Sequence, residues 1–352
     1  MASFTKTTAA GLLAGLLICL ASSELFCRWA AGAGLWYRHW DFTGDLTSLP
    51  EVQDRLHSVS GKTPRLLILG DSVLGPTALR EHRASFPREQ SLSSNLKNEF
   101  WRDHWTALSL GADGLLLPDV EALGLEILKD PPQKILLILN MRMFAPEFLQ
   151  GSKALSRAFF REEFPPEVSA SFKPEKPSEV GALVENWSCR HWVLFRTCNL
   201  LKTLWYFPSR KDFFQSLLEN LGPPPDEDLR QASLKFKIAP YYEYRPWDAD
   251  SIPFQSLDRF LRRLSKAQVP VQVILTPQNL DFLGGLLNRD GFAQNRKFLA
   301  SFLGNKKDRF IRYEDWSGRY PSRYFLDHCH LTPEGNAKMA SDLRVLLQGV
   351  KP

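Results

Sequence analysis

Short apolar runs bounded by turn residues recur from residue 65 onward. Arg65–Leu69 (RLLIL), Trp105–Leu110, Lys134–Leu139 (KILLIL) and Val269–Leu275 (VPVQVIL) read as buried strands, and Arg309–Tyr313 as a weaker fifth. Apolar runs that do not alternate with polar residues suit strands covered on both faces. Between them, Leu116–Leu128, Phe254–Ala267 and Pro333–Leu347 carry apolar residues at helical spacing. Strands alternating with helices predict a parallel sheet in a three-layer α/β domain. The stretch 147–247 breaks this alternation. It holds Pro165-Pro166, Pro174, Pro177 and the Pro223–Pro225 run, with helical patterns over Leu183–Phe207 and Lys211–Leu221. This stretch is expected to be a helical insertion over the carboxyl edge of the sheet. Its stripe of Trp187, Leu194, Cys198, Leu201 and Trp205 reads as core packing, with acyl-chain or membrane contact as the rival.

The N-terminal pattern is different. No residue between Lys6 and Glu24 is charged, and the centre from Ala9 to Ala21 is apolar. About 20 apolar residues span a bilayer, so this is a borderline transmembrane helix. A basic start, an apolar run and Ala21-Ser22-Ser23 also fit a cleaved secretory signal. A buried soluble helix is the third reading. The first two put the rest of the chain outside the cytoplasm, periplasmic or at the cell surface, with Lys6 left inside. The expected division is therefore a membrane segment over 1–35 and a domain over 36–352 that contains the insertion.

Composition changes this picture little. Hydrophobic residues at 44% and charged residues at 24% are ordinary for a globular chain, which excludes wholesale disorder. The net charge of +5 is spread along the chain and does not argue for nucleic acid. Five cysteines in 352 residues are not a disulfide framework. Cys189 and Cys198 fall on opposite faces of a helix if one forms there.

Two local patterns carry chemistry. Gly70-Asp71-Ser72 directly follows the first strand. A serine at a strand-to-helix turn is lifted from the sheet edge, beside backbone N–H groups that can hold an oxyanion. Read alone, the tripeptide is equally a helix cap. The second pattern is Asp327-His328-Cys329-His330-Leu331-Thr332-Pro333. Thr332 and Pro333 start a helix, so His330 sits on a loop at its entrance. Asp327, three residues earlier, is placed to accept the ring Nδ1–H. A metal on His328 and His330 lacks a third ligand at sensible spacing, so neither metal nor cofactor is expected.

Together these blocks resemble the SGNH/GDSL hydrolase superfamily, over about 64–348 apart from the insertion. The resemblance implies a flavodoxin-like α/β/α domain with about five parallel strands. It makes Ser72 the nucleophile, His330 the general base and acid, and Asp327 its orienting carboxylate. The oxyanion donors would be the Ser72 N–H, the Gly114 N–H and the Asn140 amide. Gly111 competes with Gly114, and Asn140 lacks the Gly and Asp that usually flank it in that family. The implied activity is serine-dependent acyl-ester hydrolysis outside the cytoplasm, on an acyl ester or acylated carbohydrate. An O-acyltransferase acting on an envelope polysaccharide, fed by a membrane acyl carrier, uses the same residues, and its architecture is similar to the D-alanyl transfer protein of teichoic acid modification. A non-catalytic scaffold is the third reading. Arg142 reads as a surface or loop salt bridge, Asp71 as a turn residue, and Arg259, Arg262, Arg263 and Lys266 as a solvated helix face. Trp101 and Trp105 are expected to pack under the second strand.

Overall fold

The chain divides into two compact units, residues 1–40 with 177–222 and residues 41–176 with 223–352. A computed structural model describes residues 6–32, 49–62, 64–82, 84, 89–145, 192, 234–235, 237–242, 245–305 and 308–348. The insertion expected over 147–247 lies almost wholly outside the described residues, as do Cys189, Cys198 and the two helical patterns.

In the first unit, helix α1 runs Lys6–Gly32. At about 1.5 Å per residue it is long enough for a bilayer. Its segment Leu13–Ala30 is apolar enough to cross one, and most of it is exposed. Glu24 and Arg28, the two charges within it, pair at 2.7 Å across one helical turn. By length and composition α1 fits a membrane anchor or a signal sequence.

The second unit is built on five parallel strands in the order β2-β1-β3-β4-β5. They are β1 (Arg65–Gly70), β2 (Thr106–Gly111), β3 (Lys134–Leu139), β4 (Val271–Leu275) and β5 (Ile311–Asp315). The helices among the described residues are α2 (Leu49–Val59), α3 (Thr77–Glu81), α4 (Leu92–Trp101), α5 (Leu117–Ile127), α6 (Ile252–Lys266), α7 (Leu280–Leu283), α8 (Arg289–Gly304) and α9 (Pro333–Gln348). Helices cover both sheet faces, which is why the strand sequences do not alternate with polar residues. Leu67, Leu69, Ile135, Leu137 and Val273 face one core, lined by α2, α5, α6 and α8. Leu66, Ile68, Leu136, Ile138 and Ile274 face the other, lined by α4 and α9.

Several boundaries differ from the sequence expectation. β4 begins at Val271 because Pro270 has no N–H to donate. β5 lies two residues later than expected and is half-buried, as an edge strand can be. Four of the described helices, α2, α4, α7 and α8, went unread. In α8 the core-facing stripe contains Asn295, which accepts the Trp247 N–H at 3.1 Å and donates to the Arg245 carbonyl at 3.0 Å. That buried amide hides the helical period while anchoring the end of the long inserted stretch. In α4, Leu92, Leu96 and Phe100 are buried, but Trp101 at its end is 71% exposed and does not pack under β2. The basic face of α6 is not wholly solvated either. Arg259 and Arg263 both grip Glu121 of α5, a side chain with no exposed surface, at 2.8 Å. Arg262 pairs with Asp258 and stays exposed, as expected.

Gly70 and Gly111 close β1 and β2 as register partners. A Cβ on Gly111 would lie 2.8 Å from the Gly70 carbonyl oxygen, and one on Gly70 would lie 2.9 Å from Leu74. The two strands thus approach closely at the edge where the chain turns toward Ser72.

Candidate active site

The candidate nucleophile and oxyanion residues follow carboxyl ends of strands. Ser72 is two residues past β1. Gly114 lies past neighbouring β2, and Asn140 is the first residue past β3 on the other side. A parallel sheet brings such loops together at one edge. The chain after Ser72 makes tight turns first, with the Leu74 N–H on the Asp71 carbonyl and the Gly75 N–H on the Ser72 carbonyl at 3.1 Å. A helix was expected to start there at once. Instead α3 begins at Thr77 and has only five residues.

Ser72 Oγ lies 2.8 Å from His330 Nε2, across 258 residues of sequence. His330 Nδ1 lies 2.7 Å from Asp327 Oδ2. Asp327 Oδ1 accepts the backbone N–H groups of Cys329 at 2.9 Å and His330 at 2.8 Å. The carboxylate therefore fixes both the ring and the loop that carries it. That loop is pinned from outside by Asn279, four residues past β4. Its N–H donates to the His328 carbonyl at 2.9 Å and its side-chain amide to the Asp327 carbonyl at 3.1 Å. Ser322 Oγ in turn bonds Asn279 Oδ1 at 2.8 Å. Thr332 Oγ accepts the Gly335 N–H at 3.1 Å and starts α9, as the sequence predicted.

The electrostatics follow from this geometry. Burial works against ionising Asp327, yet His330, His328 and the Cys329 N–H hold its carboxyl far below the usual range. Burial also opposes the His330 imidazolium, but the Asp327 carboxylate outweighs it and raises the ring above its ordinary value. Cys329 Sγ is 3.8 Å from His330 Nδ1. Burial pushes that thiol up, while His328, His330 and Arg142 pull it down to about 6.

Asn140 has no exposed surface. Its Oδ1 accepts the Arg142 N–H at 3.3 Å, while its Nδ2 has no hydrogen-bond partner among the described residues. An unpaired buried amide costs about 1–3 kcal/mol, so an acceptor for it at this edge is chemically significant. Gly114 takes φ +74°, a left-handed turn that favours glycine. Asp113 before it accepts the Thr77 hydroxyl at 2.7 Å, tying the loop after β2 to α3. Gly111 is inside β2, so of the two glycines only Gly114 lies beyond a strand end.

Arg142 is not on the surface. It sits in the turn Met141–Phe144, 8% exposed, and its Nε and Nη2 donate to Asp71 Oδ2 at 3.0 and 2.7 Å. Nη2 also donates to Ser72 Oγ at 2.5 Å. Asp71 is thus an ion-pair partner as well as a turn residue, its Oδ1 accepting the Val73 N–H at 3.2 Å. The signal that could have found Arg142 is its position: three residues past β3, on the edge that Ser72 shares. Asn279 had a similar signal past β4.

Asp327, His328 and Cys329 bring a carboxylate, an imidazole and a thiol within 4.8 Å of one another. Both Asp327 oxygens are already committed to hydrogen bonds, which leaves His328 and Cys329 as the ligands such a cluster could offer an ion. Chemically the edge offers a hydroxyl on a base, the base on a carboxylate, a guanidinium on the hydroxyl and a spare buried amide. Compared with protein-family models and with curated proteins, the sequence finds no match.

Proposed function

We propose that the chain is a serine-dependent acyl-ester hydrolase of the SGNH/GDSL type, working outside the cytoplasm through an acyl-serine intermediate. The observation that carries this is the unbroken hydrogen-bonded line from Ser72 Oγ through the His330 ring to Asp327. The flavodoxin-like strand order and the apolar α1 support it. With Nδ1–H given to Asp327, Nε2 is the basic nitrogen. It takes the Ser72 proton as Oγ attacks the ester carbonyl and the carbonyl electron pair moves onto oxygen. The Asn140 amide, the Gly114 N–H and the Ser72 N–H would receive that charge. The C–O bond to the alcohol then breaks, and His330 returns the proton to it. Water, activated by the same nitrogen, releases the acid from Ser72.

A second reading is O-acyl transfer to an envelope polysaccharide. It draws on α1, which would hold the chain beside a membrane-borne acyl donor. Full-length protein in neutral detergent, given an aryl acetate with and without polysaccharide, separates the two. Acceptor-independent aryl release supports the hydrolase, and acetylated polymer supports the transferase. If Ser72→Ala matches the wild-type rate, both fall and a scaffold remains. His330 must be neutral to act, and its folded pKa is raised. The rate should therefore climb with pH through a limb above the ordinary imidazole value of 6.5.

A further inference from the structure

Among the described residues, Ser72 has two side-chain partners of opposite chemical sense. The base His330 receives its proton, and the cation Arg142 gives its oxygen a hydrogen bond. Each partner is aimed by its own carboxylate, Asp327 for the ring and Asp71 for the guanidinium. The Asp71 side chain has no exposed surface and that of Arg142 is 10% exposed. Neutralising Asp71 would not in itself require a donor on the hydroxyl. Oγ, with its proton toward His330 and one lone pair toward Arg142, keeps a single lone pair for a carbonyl.

Resting on the acyl-serine reading, we infer that Arg142 is a catalytic residue that stabilises charge on Ser72 Oγ and opposes protonation of His330, with Asp71 as its positioning residue. As the O–H bond breaks and its proton passes to Nε2, negative charge grows on an oxygen already held by a fixed cation. When Oγ later leaves the acyl group, the same donor stabilises it as the departing oxygen. Arg142 itself loses no proton in either step, since a guanidinium stays charged. Burial opposes the charged ring, Asp327 and Cys329 favour it, His328 lies beside it, and Arg142 with Asp71 stands across Ser72. Arg142 is the charge in this set that favours the neutral ring.

The test uses full-length protein in neutral detergent and the second-order rate of Ser72 labelling by a fluorophosphonate, followed from about pH 5 to 9. Arg142→Gln should slow labelling roughly a hundredfold. It should also move the acid limb up by about one pH unit, because the imidazolium loses an opposing cation. Arg142→Lys should bring the limb back toward wild type and recover part of the rate, since it restores charge without the fork. Asp71→Asn, which leaves the guanidinium in place but unaimed, should slow labelling by less and move the limb the other way, since the imidazolium then faces an uncompensated cation. Wild-type rate and limb in Arg142→Gln would overturn the inference. So would a slower rate with an unmoved limb, a lowered thermal midpoint and no rescue by Lys, which is what a purely structural ion pair gives. If wild-type protein shows no labelling that Ser72→Ala removes, the acyl-serine reading fails and takes this inference with it.

Discussion

Asp71 and Glu121 are both carboxylates without exposed side-chain surface, and both are held by arginine. Their surroundings differ. Glu121 lies in the middle of α5 and takes Arg259 and Arg263 from α6, with Arg259 also reaching Ser256 of its own helix at 3.3 Å. The charges there staple two helices. Asp71 lies just past a strand end and takes an arginine from the next strand's loop, which also reaches a hydroxyl. A buried ion pair is therefore no sign of function by itself, since its net contribution to stability can be near zero. Where the arginine's remaining donors end separates cohesion from chemistry.

The comparison can be pressed with four variants. The largest effect belongs to the edge: Asp327→Asn should cut Ser72 labelling by roughly 10³–10⁴-fold, because the ring loses its tautomer and its anchor. A loss under tenfold would mean that the edge carboxylates are as structural as Glu121. Next, Glu121→Ala should cost about 3–5 kcal/mol by leaving two arginines against an apolar helix interface. Thermal unfolding would show this, while labelling per folded molecule stays at the wild-type rate; a slower specific rate would erase the distinction. Asn140→Ala should cost about 3 kcal/mol of transition-state stabilisation, seen as slower ester turnover at a nearly unchanged thermal midpoint. Unchanged turnover would remove Asn140 from the edge set. Smallest is Lys129→Ala, which breaks an exposed pair with Glu126 one turn away. It should shift stability by about 0.5 kcal/mol or less and sets the zero of the scale.

The sheet was legible because strands covered on both faces write themselves as runs such as KILLIL, whose limits match β3 residue for residue. Ser72, Asp327 and His330 were legible because each sits beside punctuation, either a strand end or a helix start. The helices α2 and α8 were not, since each carries polar residues on a face that is only partly covered, and Asn295 occupies a core position. Arg142 does form a loop salt bridge, as expected, but its burial and its reach to Ser72 were missed for a different reason. Spacing along the chain gives a residue's place on an element, but it does not reveal that the turn after β3 bends a long side chain back over the end of β1. The same limit hid Glu121, whose two partners lie more than a hundred residues away in sequence.

The paired glycines at 70 and 111 carry a consequence for redesign. No side chain can be added at 111 without prying β1 from β2, because the obstacle is main chain and cannot rotate aside. The seat beneath the serine is consequently closed to variation, by nature or by engineering. On the acyl-serine reading, any redesign at this edge would have to leave that pair of glycines in place.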